Sequence, residues 1–222
     1  MARRAEKQLE LPAVVGWGGA RAGSGPKPRP GSGPSHVRRE AHEARWPVHV
    51  TLRAQRGLPS LRSPRAFQAL QRALVQANRA AFRVLHFSVQ TDHLHLIVEG
   101  DSSRALVRGL QGLAGRCARA LNRQWSRRGP VWSHRYHAHP LRTPTEVRRA
   151  LAYVLLNFRK HLRAPPSIDP RSSGVWFDGW SGEATSTASP GPLSRPRTWL
   201  ASVGWHRGGG PIHVGEVPPR RS

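Results

Sequence analysis

Hydrophobic residues in the middle of this chain change their period in a fixed order, and that order restricts the fold more than any composition figure does. Val48, Val50 and Leu52 alternate with His49, Thr51 and Arg53, the pattern of a half-buried strand. Ser63 then offers an N-cap and Pro64 a first helical position. Phe67, Leu70, Leu74 and Ala77 follow at helical spacing, so a helix is expected to about Ala80. Alternation returns in Leu85, Phe87 and Val89 and, after Gln90-Thr91-Asp92, in Leu94, Leu96 and Val98; the two segments read as a hairpin. A second helical pattern runs through Leu106, Leu110, Leu113, Cys117 and Leu121, and residues 130–141, rich in His and aromatic side chains, read as a fourth strand. Thr143-Pro144-Thr145-Glu146 combines an N-cap, a first-turn proline and a capping-box glutamate. Val147, Leu151, Val154, Phe158 and Leu162 give the helix that follows its apolar stripe. The sum is β-α-β-β-α-β-α. This is an α+β chain whose first six elements make a ferredoxin-like antiparallel sheet with two helices on one face, with a further C-terminal helix appended.

The flanks have a different composition. Residues 1–43, with Gly23-Ser24-Gly25-Pro26-Lys27-Pro28 at their centre, cannot bury enough to fold alone and read as a disordered basic arm. The patterned region, residues 44–164, is the expected domain; 165–180 reads as a short segment docking on it through Val175-Trp176-Phe177; and 181–222 reads as a disordered tail. A length of 222 residues accommodates one ordinary domain with such ends. One cysteine, Cys117, rules out an intrachain disulfide framework and reads as core. There is no long apolar run and no well-formed signal core, so no membrane partner is implied and a cytoplasmic, nucleoid-associated protein is expected.

Charge points to a polyanion. The formal net charge is +24, and residues 44–164 alone hold 22 Lys and Arg against 4 Asp and Glu, so the excess belongs to the domain as much as to its ends. Nearly all of it is arginine, whose planar fork suits phosphate. On the second helix Arg104, Arg108, Arg116, Arg119 and Arg123 fall mostly opposite the apolar stripe with no acid among them, which makes a phosphate-facing surface of that helix.

Two small constellations carry chemistry. His93 and His95, two apart on a strand, project from one face while Leu94 and Leu96 take the other, the geometry for two imidazoles to share a metal ion. Such pairs also occur incidentally on polar sheet faces. Tyr153, one of only two tyrosines, lies off the apolar stripe of the last helix; Asn157 shares its face one turn later and offers an amide oxygen suited to Mg²⁺ or Mn²⁺, and Lys160 lines up with both. An ordinary exposed helix face fits this trio equally well on spacing alone.

Taken in order, a strand bearing His93-Leu94-His95, a basic helix, a strand containing Arg135-Tyr136 and a last helix reading Tyr153-Val154-Leu155-Leu156-Asn157 resemble the single-tyrosine transposases of the HUH endonuclease superfamily, in particular the REP-associated and insertion-sequence types. The resemblance covers roughly residues 45–163. It implies that His93 and His95, with Asn157, hold Mg²⁺ or Mn²⁺, that Tyr153 is the nucleophile, and that single-stranded, hairpin-associated DNA is cut and rejoined through a 5′-phosphotyrosine link by a monomer or homodimer. It also implies a packing or base-stacking role for Tyr136. Two positions depart from the family pattern: Phe158 stands after Asn157 where proline is usual, and Thr91-Asp92 precede the histidines where Pro-Asn or Pro-Glu is frequent. A catalytically inactive, domesticated nucleic-acid-binding protein is the alternative. Trp125, Trp132 and Trp176 read chiefly as core, with base stacking as the alternative, and His134, His137 and His139 as surface or DNA-backbone contacts.

Overall fold

The computed structural model describes residues 42–158, 167–182 and 191–217. Its centre is a four-stranded antiparallel sheet of β1 (Val48–Arg53), β2 (Phe82–Val89), β3 (His93–Gly100) and β4 (His137–Pro140), in the order β2-β3-β1-β4. Helices α1 (Pro64–Val75) and α2 (Ser103–Gln124) cover one face, so the ferredoxin-like arrangement is present. Val50, Leu52, Phe87, Leu94, Leu96 and Val98 point to that side and pack against Leu70, Leu74, Leu110 and Leu113. Helix α2 comes close to β2 because residue 109 is glycine: a Cβ there would run into the Phe82 ring. Buried Cys117 belongs to this core, and burial pushes its thiol up to about 12. No helix among the described residues is long and apolar enough to cross a membrane.

Several details differ from the sequence pattern. Helix α1 ends at Val75, short of Ala80, with Gln76 as C-cap. The fourth strand is confined to His137–Pro140; upstream of it Trp132 makes only an isolated bridge to Ala54. On β2 a bulge lies between Val84 and His86, so Leu85 turns away from the face of Phe87 and Val89 and joins the opposite core with Ile97. Of the polar alternates of β1, Arg53 is exposed and Thr51 half-buried, but His49 is only 5% exposed, because a second layer covers that face.

That layer is α3 (Pro144–Leu156) and the chain beyond it. The Thr143–Glu146 capping box forms, fixing where α3 starts. Far more than one stripe of α3 is buried: Ala150, Ala152, Leu155 and Leu156 join Val147, Leu151 and Val154, since the helix has the sheet on one side and residues 199–212 on the other. Residues 191–217, where disorder was expected, are therefore folded. They contain a short helix α4 (Trp199–Ser202), a 3-10 turn (Gly204–Gly208) and β6 (Ile212–His213), which pairs in parallel with β5 (Trp180–Ser181). Leu200, Trp205 and Ile212 supply apolar burial that a composition rich in Gly, Pro and Arg conceals. Arg148 of α3 donates to the Gly210 and Pro211 carbonyls and pairs with Glu216, whose carboxyl is held below the usual range chiefly by that hydrogen bond. Residues 167–177 run along the outer edge of β2, tied by the Arg62–Asp169 ion pair at 2.8 Å and by the Val89 N–H to the Arg171 carbonyl.

The C-terminal segment is anchored at Glu99, fully buried on β3. Its carboxylate accepts from Arg83 Nε at 2.9 Å, from the N–H groups of Arg197 and Thr198, and from the Thr198 hydroxyl at 2.8 Å. A buried carboxylate so fully bonded is tolerated, whereas removing it leaves the Arg83 Nε–H and the amides of Arg197 and Thr198 without their acceptor. Glu99→Ala is expected to lower the unfolding free energy by about 3–5 kcal/mol in a denaturant titration; a loss below ~1 kcal/mol would show that the segment is not held there.

Candidate active site

Strand β3 lies between β1 and β2, so its two histidines are flanked on both sides by the register. Thr51 and Ser88 are the cross-strand neighbours of His95, and Arg53 is that of His93. Because Leu94 and Leu96 point to α1 and α2, both imidazoles face α3. Their rings meet edge to face with centroids 4.7 Å apart, and His95 is 2% exposed. From α3, half-buried Tyr153 stands edge-on to His95 at 5.1 Å and to His49 at 5.7 Å. Asn157, the buried C-cap of α3, brings its amide nitrogen within 3.4 Å of His95 Nε2. The structure therefore brings together His93, His95, Tyr153 and Asn157, residues 62 apart in the chain in the case of the His95–Asn157 contact. Tyr153 belongs to neither an exposed face nor the apolar core; it is the point where α3 touches the polar patch of the sheet.

The neighbours of the histidines constrain which nitrogen of each ring carries the proton. His93 Nδ1 lies 2.7 Å from Asp92 Oδ1 and donates to it, which leaves Nε2 as its lone-pair nitrogen. That hydrogen bond is the first cause holding the Asp92 carboxyl below its ordinary value. His95 Nδ1 lies 3.2 Å from the Thr51 hydroxyl and 3.4 Å from His49 Nε2; donation from Nδ1 to Thr51 leaves Nε2, the atom nearest Asn157. Gln90 shares this face with Ser88, to which its Nε2 donates at 2.7 Å, while its buried Oε1 has no hydrogen-bond partner. A buried oxygen left without a donor costs about 1–3 kcal/mol, and it is the atom type that a hard cation accepts. Two imidazole nitrogens and amide oxygens make a donor set that fits Mg²⁺ or Mn²⁺. Among the described residues no three His, Cys, Asp or Glu side chains gather to hold a metal, so a cation here would depend on the amides as well as on the imidazoles.

His49, Thr51, Gln90 and Asp92 were not singled out by the sequence. The alternation of β1 does place His49 and Thr51 on the polar side, but only the β1–β3 register puts them beside His95.

Most of the other anticipated residues are elsewhere. Arg104, Arg108, Arg116, Arg119 and Arg123 lie on α2, in the layer on the far side of the sheet from Tyr153. They border two open grooves, one of about 720 Å³ between α1 and α2 with Arg65 and Arg72, and one of about 420 Å³ between α2 and the turn into β2 with Arg79, and no carboxylate lines either groove. Lys160 lies outside the described residues. Tyr136, Trp125, Trp132 and Trp176 pack, partly buried, against the α1/α2 core; His134 is exposed, and His137 and His139 are exposed on the edge strand β4, where the register sets them opposite Thr51 and His49 on the face of His95.

Residues 48–155 match the family model for IS200-like transposases. Among solved structures, that of a REP-associated tyrosine transposase bound to a REP hairpin is similar, with a TM-score of 0.52 and 17% identity over 73% of this chain and 99% of the other. At that identity the likeness concerns the fold. No curated protein matches the chain in sequence.

Because the contacts of Tyr153 with His49 and His95 are made by its ring, Tyr153→Phe is expected to keep the fold, with at most ~1 kcal/mol lost in thermal or chemical unfolding. A loss above about 3 kcal/mol would show that the hydroxyl is needed to hold α3 in place.

Proposed function

We propose that this protein, whose residues 48–155 match the family model for IS200-like transposases, cuts and rejoins single-stranded DNA, with Tyr153 as its nucleophile. The observation that carries this reading is the meeting of Tyr153 with the His93/His95 face inside one site.

In the proposed reaction Tyr153 Oη attacks a DNA phosphorus. An Oη–P bond forms as the bond to the 3′ oxygen breaks, leaving a 5′-phosphotyrosine and a free 3′-hydroxyl. The phenolic proton leaves with attack and the departing 3′ oxygen takes one up. A second strand's 3′-hydroxyl can reverse the step on the same phosphorus, so strands are rejoined without an external energy source. When bound, Mg²⁺ or Mn²⁺ supplies positive charge to the phosphate oxygens and to the departing oxygen. Nε2 of His93, Nε2 of His95 and the Asn157 amide oxygen are the proposed ligands, with Asp92 and Thr51 orienting the rings through Nδ1. Edge-on contacts with the rings of His95 and His49 hold the Tyr153 ring beside the proposed ligands.

The partner of the similar solved structure makes hairpins the first substrates to try. Incubating the protein with end-labelled single-stranded hairpin DNA and Mn²⁺ is expected to give an adduct that survives denaturant and is absent for Tyr153→Phe. An adduct that persists in that variant removes Tyr153 from the role, and no adduct with the wild-type chain on a panel of hairpins favours a binding-only protein. Asp92→Ala is expected to weaken Mn²⁺ binding about 10–100-fold in calorimetry without changing the fold; unaltered affinity would exclude the orienting role.

A further inference from the structure

Gln90 opens the turn between β2 and β3, and the ligand set proposed above leaves its state unexplained. It is 1% exposed; its Nε2 donates to the Ser88 hydroxyl at 2.7 Å, and its Oε1 is buried without a hydrogen-bond partner. Buried side-chain oxygens are nearly always bonded, because one left without a donor loses its hydration and gains nothing in return. An exception inside a cluster of imidazoles points to something that accepts a lone pair.

The register sets the Gln90 amide beside the histidines. Phe87 and Val89 of β2 pack on the α1/α2 core, so Ser88 and, by alternation, Gln90 lie on the α3 side. Ser88 is the cross-strand partner of His95. The Gln90 N–H donates to the His93 carbonyl at 2.8 Å, which extends the ladder by one step and puts Gln90 opposite His93. Residues directly opposite on one sheet face stand about 4.5–5.5 Å apart at Cβ. His93 and His95 on β3 therefore form a block with Gln90 and Ser88 on β2, and the bond to Ser88 lays the Gln90 side chain along that block. The turn itself is fixed from both sides. The Leu61 N–H donates to the Thr91 carbonyl at 2.9 Å, and the Ala54 N–H to the Asp92 carbonyl at 2.8 Å. A side chain tethered on such a backbone is preorganised.

We propose that Gln90 Oε1 is an oxygen ligand of the divalent cation held by His93 and His95, so that the β2–β3 hairpin alone carries donors in the pattern Gln90-x-x-His93-x-His95. The donor chemistry favours this set. A pair of imidazoles suits Zn²⁺, Cu²⁺ or Ni²⁺, whereas an amide oxygen turns the site toward Mg²⁺ or Mn²⁺. Asn157 approaches from α3, but the atom it brings to His95 Nε2 is its amide nitrogen, at 3.4 Å. In Gln90 the nitrogen is engaged by Ser88 and the oxygen is the atom left over. Such a set needs no carboxylate, in keeping with the lack, among the described residues, of three His, Cys, Asp or Glu side chains grouped to hold a metal. All of its donors are neutral, so the ion keeps its full charge for phosphate oxygens.

The inference rests on the histidine cation site proposed above, and its test separates the two. Calorimetric titration with Mn²⁺ and thermal melting, with and without Mn²⁺, would be run on the full-length wild type, Gln90→Met, Gln90→Glu and His95→Ala. Gln90→Met keeps the length and removes the oxygen. It should weaken Mn²⁺ at least about tenfold, shrink the rise in Tm that Mn²⁺ gives the wild type, and leave the metal-free Tm unchanged or higher, since an unbonded buried oxygen has gone. Gln90→Glu retains an oxygen and adds charge, and should bind Mn²⁺ at least as tightly as the wild type. A side chain that serves only to bond Ser88 gives the opposite result, a lower metal-free Tm in Gln90→Met with Mn²⁺ affinity unaltered, and that overturns the proposal. Weaker Mn²⁺ binding in Gln90→Glu overturns it as well, so the conclusion does not hang on the folding of one variant. Affinity lost in His95→Ala but kept in Gln90→Met would leave the histidine site standing and remove Gln90 from it. Affinity untouched by His95→Ala would refute the histidine site and the place of Gln90 in it together.

Discussion

Everything at the candidate site depends on the position of β3 inside the sheet. Paired on one side with β1 and on the other with β2, it cannot slip by one residue without moving Leu94, Leu96 and Val98 out of a core in which each is fully buried. The hydrophobic demand of one face therefore sets where His93 and His95 point on the other. The apolar residues hold the polar ones in register, and neighbouring strands then supply Thr51 and Ser88 at the flanks of His95.

The two faces of the sheet divide the work. One is a conventional apolar layer under α1 and α2, whose outer arginines border grooves free of carboxylates. The other is mixed: β2 and β3 contribute Leu85 and Ile97 to the α3 core, while His49 and His95 stay buried and polar. Keeping polar side chains there requires a cover that bonds to them, and α3 supplies it with Tyr153 and Asn157. The helix is in turn held by residues 199–216, through Leu200 and Trp205 and the Arg148–Glu216 pair, and Glu99 ties that segment back to β3. Strand, helix and C-terminal segment thus form a closed chain of contacts around the tyrosine.

Much of this was legible in the sequence because it is local. Period-two alternation on β1 and β3, the Ser63-Pro64 and Thr143-Pro144 helix starts, the His93-Leu94-His95 pair and the Tyr153/Asn157 spacing are properties of short stretches. The β2 bulge was not legible, because Leu85 fits an alternating strand in either direction and only the register with β3, which pairs Val84 with Val98 and His86 with Ile97, turns it to the other face. The folded C-terminal segment was hidden for a different reason. Its few apolar residues, Leu200, Trp205 and Ile212, are too sparse to give a period and are buried by docking onto α3 rather than by packing among themselves. Glu99 shows the same limit: within β3 it reads as one of the outward polar residues, and only Thr198, 99 residues later, makes it an anchor.

The central claim is that strand β3 and helix α3 build one cation-dependent site from His93, His95 and Asn157 beside Tyr153. Pulsed electron paramagnetic resonance of the Mn²⁺-loaded protein tests it most directly, because imidazole ligands leave nitrogen couplings on the ion whether or not any DNA is cut. Two such couplings are expected in the wild type and in Tyr153→Phe, and one in either His93→Ala or His95→Ala. Mn²⁺ bound with no imidazole coupling, or a spectrum unchanged by both histidine substitutions, would contradict it.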